Sequence, residues 1–82
     1  MEIQTEELLQ AVIKTLKKRG KVLPDDLLVH GSLLFNLNGY HITQKDLIIA
    51  LKDYIENGHF QYTDHNNIHI TQYGIEMLKL NS

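Results

Sequence analysis

At 82 residues, with 43% hydrophobic and 22% charged side chains, the chain has the composition of a small globular domain, which excludes intrinsic disorder. The lack of cysteine removes disulfides, thiolate metal ligation and cysteine nucleophiles, and no stretch approaches the roughly 20 apolar residues of a membrane-spanning helix. A net charge of −2 argues against a general nucleic-acid coat, because sequence-independent DNA affinity comes from phosphate neutralisation by Lys and Arg, so any DNA contact must use a local patch.

These bounds predict one domain over residues 1–82, cytoplasmic because the N-terminus lacks a basic segment leading into an apolar run. Thr5 is the expected cap of a first helix, with Glu6 and Glu7 at the positive end of its dipole and Lys17, Lys18 and Arg19 in its last turn before Gly20. Leu8, Leu9, Val12, Ile13 and Leu16 recur at helical spacing and form its apolar stripe. Pro24-Asp25-Asp26 predicts the start of a second helix running through Leu27, Leu28, Leu33, Leu34 and Phe35, with Gly31 as a weak point.

Asn36-Leu37-Asn38-Gly39 carries turn chemistry. Thr43 with Asp46 makes a variant capping box, Ile42 sits where a hydrophobic staple would, and Asn57-Gly58 supplies a stop, which predicts a third helix over about 44–57. At about 100° per residue, Leu47, Ile48, Ala50, Leu51, Tyr54 and Ile55 cover its inner side; Lys45, Ile49, Lys52, Asp53 and Glu56 cover the outer. Phe60 and Tyr62, then Ile68 and Ile70, alternate around the turn formers Asp64-His65-Asn66-Asn67, the pattern of a β-hairpin. Thr71 caps a last short helix with Ile75 and Leu78 on one face and Tyr73, Met77 and Leu80 on nearly the opposite one.

The expected fold class is therefore mainly α with a small β-hairpin (α+β), in the order helix, helix, helix, hairpin, helix. That order, and above all LKDYIENGHFQYTDHNNIHITQYGIEML from Leu51 to Leu78, resembles the winged-helix superfamily of bacterial and phage regulators. The shared pattern is an amphipathic helix ending at Gly, a hydrophobic strand, and a second wing strand entering a Thr-x-x-Gly helix start, here Thr71-Gln72-Tyr73-Gly74.

The resemblance implies a transcriptional regulator that inserts the third helix into the major groove of double-stranded DNA. Gln44, Lys45, Ile49 and Lys52 would make base or backbone contacts, and Asn66 and Asn67 at the wing tip would touch the backbone. The wing tip has no Lys or Arg, unlike most wings that enter a minor groove. Tyr73, Met77 and Leu80 are the candidate interface for a homodimer or another partner. The competing reading is a winged-helix protein-interaction module that uses Ile49 and the Tyr73, Met77, Leu80 face and leaves DNA alone.

Five histidines raise the question of zinc, yet His59, His65 and His69 match no metal-ligand spacing. No P-loop, nucleophile elbow or dinucleotide fingerprint is present, so neither enzymatic activity, nor a cofactor, nor a small-molecule substrate is expected.

Overall fold

A computed structural model describes residues 3–37, 39–63, 65 and 67–81. Among the described residues the chain is α+β, with five α-helices and a three-stranded antiparallel sheet. Helix α1 spans Thr5–Leu16 and buries Leu8, Ala11, Val12, Thr15 and Leu16, a stripe at helical spacing. Its cap falls on Gln4, not Thr5, because the Leu8 N–H already donates to the Gln4 carbonyl at 2.9 Å and starts the ladder one residue earlier. A 3₁₀ turn, Lys17–Arg19, prolongs it until Gly20, whose φ of 96° ends the helix.

The next segment differs from the expected helix start. Pro24 and Asp25 form the middle of a turn closed by the Asp26 N–H on the Leu23 carbonyl at 3.1 Å, and Asp25 has φ 69°, the pattern of a type II turn. Asp26 returns its carboxylate to the Leu23 N–H at 2.8 Å. Proline's fixed φ suits the second position of such a turn as well as the first position of a helix. Strand β1, Leu27–Leu28, follows, and α2 begins only at His30 and runs to Phe35.

Thr43 caps α3, Gln44–Ala50, its hydroxyl accepting from the Asp46 N–H at 3.1 Å. The single helix expected over 44–57 is interrupted at Leu51 (φ −95°, ψ 11°), after which α4 spans Lys52–Glu56. The α4 terminus is a Schellman motif: Gly58 takes φ 87°, its N–H reaches the Ile55 carbonyl, and the His59 N–H reaches that of Tyr54 at 2.8 Å.

The hairpin is present as β2, Phe60–Tyr62, and β3, Ile68–Ile70, paired Phe60 with Ile70 and Tyr62 with Ile68. On its other side β3 pairs antiparallel with β1, Leu28 opposite Ile68, so the strand order is β1-β3-β2. Thr71 then caps α5, Gln72–Met77, accepting from the Gly74 N–H at 3.0 Å.

A second Schellman motif ends α5, with Lys79 in the left-handed position at φ 54° and the Leu80 N–H on the Ile75 carbonyl at 3.0 Å. This reversal corrects the expected placement of Leu80. The side chain does not share the outer face of Tyr73 and Met77; it folds back into the core and is 2% exposed. Leu28, Leu33, Leu47, Phe60, Ile70 and Ile75 bring β1, α2, α3, the hairpin and α5 into the same core.

The chain end is tied to the segment after α1 by Asn81, whose side chain accepts from the Val22 N–H at 2.8 Å and donates to the Val22 carbonyl at 2.6 Å. Asn81→Ala removes both bonds and leaves a buried residue's backbone unpaired. Urea denaturation is expected to report a loss of about 2 kcal/mol, two bonds at roughly 1 kcal/mol each. A loss within 0.5 kcal/mol would mean that water replaces the clamp.

Candidate nucleic-acid interface

Helix α3 is held by its inner side, where Leu47 is buried in the core and Leu51, the residue that follows the helix, is fully enclosed. With the inner side fixed, helical periodicity turns Lys45 and Ile49 outward, and both are exposed, Ile49 at 61%. Lys52 continues that line onto α4 and is exposed as well. Its ammonium lies 3.9 Å from the Glu56 carboxylate, an i,i+4 pair exposed enough for an incoming anion to displace it at small cost. Gln44 differs from these three in being half-buried at the first position of the helix.

On the hairpin, Asn67 is half-buried and its carbonyl accepts from the Thr63 N–H at 2.9 Å, closing the loop. Asn66 lies outside the described residues. The acids carried by α3 and α4 are Asp46, at the start of α3, and Asp53 and Glu56 on α4, all exposed. Charge on this face is therefore mixed, and the first turns of α3 present one cation, one acid and one aliphatic group.

Of the candidate partner face, Tyr73 and Met77 remain exposed, whereas Leu80 is withdrawn. Tyr73 is also engaged locally: its ring meets that of His59 edge-on at 5.2 Å, and His59 in turn meets Tyr54 at 5.4 Å. His59 is thus held between two tyrosine rings, and its Nδ1 is buried without a hydrogen-bond partner. His69 sits with Nδ1 3.3 Å from an Asp25 carboxylate oxygen, in ion-pair range without hydrogen-bond alignment. Among the described residues, no three His, Asp or Glu side chains are arranged to hold a metal ion. No helix among them is long and apolar enough to cross a membrane.

One prominent surface was not singled out by sequence. Phe35, at the end of α2, is 90% exposed, and Leu27 and Val29 are about half exposed beside the Lys18 end of α1. The signal was available: at about 100° per residue Phe35 lies about 200° from the buried Leu33 and so points away from the core. No family model matches the chain, and no curated protein or solved structure shows significant similarity to it.

Proposed function

We propose that this is a small winged-helix protein that binds double-stranded DNA through the outer face of α3 and α4, acting in the cytoplasm as a transcriptional regulator of bacterial or phage type. The strand order supports the fold reading: a short strand between the first two helices joins the hairpin, so the two hairpin strands and β1 form one sheet. The observation that carries the functional reading is the exposed line Lys45, Ile49 and Lys52 on a helical run whose other side is anchored by Leu47 and Leu51.

In this reading the capped N-terminal half of α3 enters the major groove. Lys45 meets a phosphate or a guanine edge, Ile49 packs on a thymine methyl, Gln44 offers an amide to a base edge, and Lys52 exchanges Glu56 for a phosphate. Asn67 contacts the phosphate backbone from the wing. The chain can still dimerise through Tyr73 and Met77, a smaller face than the three residues read from sequence.

Fluorescence anisotropy with a labelled mixed-sequence duplex tests the proposal. Non-specific binding should appear at low salt and weaken as salt rises, to a Kd of about 10⁻⁶–10⁻⁴ M at physiological salt. Lys45→Ala should weaken it across sequences and reduce the salt slope by about 1. Lack of binding at low salt would overturn the DNA reading.

A further inference from the structure

We propose that the groove between the second half of α1 and the β1–α2 segment is a docking site for an acidic amphipathic helix of a partner protein. The groove consists of two adjoining open depressions of about 420 and 580 Å³ that share Lys18 and Ser32. Leu27 and Val29 line the first and Phe35 the second, and these three rank among the exposed large apolar side chains of the described residues. Scattered single apolar residues on a surface need no explanation, whereas an aromatic at 90% exposure and two half-exposed aliphatics lining adjoining depressions point to an interaction surface.

Charge selects the occupant. Lys14, Lys17 and Lys18 line the Phe35 half, and the acid in the lining is Asp26, at the far end beside Leu27. A second copy packed face to face would press this net-positive patch, with Lys14, Lys17 and Lys18 against the single acid Asp26, onto the same net-positive patch, because a two-fold contact is self-complementary. A partner helix with an apolar stripe and acidic flanks matches both the floor and the rim. Single-stranded nucleic acid fits less well, since stacking of successive bases needs several aromatic platforms and Phe35 is the one aromatic among the residues lining the two depressions.

The floor is also preformed. Asn36 donates from its side-chain amide to the Thr15 hydroxyl at 2.8 Å, and Thr15 donates to the Ala11 carbonyl at 2.7 Å, so α2 is fastened to α1 under the groove. A fastened floor spares a ligand the entropy of ordering it.

The test is an NMR titration of the labelled full chain with a synthetic helix-forming peptide of about 14 residues, Leu and Phe at i, i+3, i+4 and i+7 and Glu elsewhere. The expected result is saturable shifts confined to amides of residues 14–18 and 27–36, absent with the same peptide carrying Lys in place of Glu. Phe35→Ala should weaken binding at least tenfold, as for an aromatic anchor, without altering the far-UV circular dichroism because the side chain is already outside the core. Lys17→Glu with Lys18→Glu should do the same. Equal binding of both peptides, no binding, or shifts away from the groove would overturn the proposal. So would oligothymidine of about 12 nucleotides moving these amides when the acidic peptide does not. Because α3 amides are not involved, the outcome is independent of the DNA reading.

Discussion

Replacing Gly74 with alanine is expected to destabilise the protein by about 3 kcal/mol, against the helix propensity of the two residues, which alone favours alanine by about 1 kcal/mol. The position is in α5, but its backbone passes close to the segment that leaves α4. A Cβ there would stand 2.1 Å from the His59 carbonyl oxygen and 2.8 Å from Ile70 Cδ1. Ile70 can rotate; the carbonyl cannot move without disturbing its neighbours, because the same oxygen accepts from the Thr71 N–H at 3.1 Å and lies 3.0 Å from the Thr71 hydroxyl. Gly31 is the control. It is also helical, in α2, but nothing lies within 4 Å of an added Cβ, so Gly31→Ala should stabilise by roughly 0.5–1 kcal/mol. Urea denaturation of the two variants decides the matter: if Gly74→Ala is neutral, α5 does not pack on His59 as described.

Phe60→Ala is expected to cost about 3–5 kcal/mol, the range for deleting a buried aromatic side chain. Phe60 is fully enclosed, faces Ile70 across the hairpin, and meets the Tyr54 ring edge-on at 6.5 Å. Truncation would therefore leave a cavity where the sheet, α4 and the core meet. A domain of this size has a total stability of roughly 4–12 kcal/mol, so thermal melting monitored by circular dichroism should show a transition shifted down by tens of degrees or no folded state at 37 °C. A shift of only a few degrees would mean that the hairpin does not contribute to the core.

Much of this fold is written locally. The Thr43 and Thr71 caps form as read, because a hydroxyl followed three residues later by a free N–H needs nothing from the rest of the chain. Gly58 ends α4 because a left-handed residue is required there, and the 2-period of residues 60–70 appears as a hairpin. What was illegible depends on partners distant in sequence. Two residues of β1 carry no periodicity of their own and are strand only because Ile68 and His69 pair with them. Leu80 reads as an outer residue when the α5 spiral is continued, but Lys79 adopts a conformation usually taken by glycine and turns it inward.

The candidate site shows the same division. Lys45 and Ile49 are outward by simple periodicity once the apolar side of α3 is assigned, and Lys52 follows despite the interruption at Leu51. Gln44 is half-buried, which its place at a capped N-terminus did not reveal. Phe35 stands two residues from Leu33, so helical periodicity puts the two on opposite sides, but which of them faces the core is fixed by packing with elements distant in sequence.

The most direct test of the DNA reading is a residue-resolved titration of labelled protein with mixed-sequence duplex, followed by NMR at low and then higher salt. The account predicts that the amides of Lys45, Ile49, Lys52 and Asn67 shift together and that the shifts fade as salt rises, as counterion release requires. Amides in α3 and the hairpin that stay in place at low salt, where even non-specific binding is strongest, would contradict it.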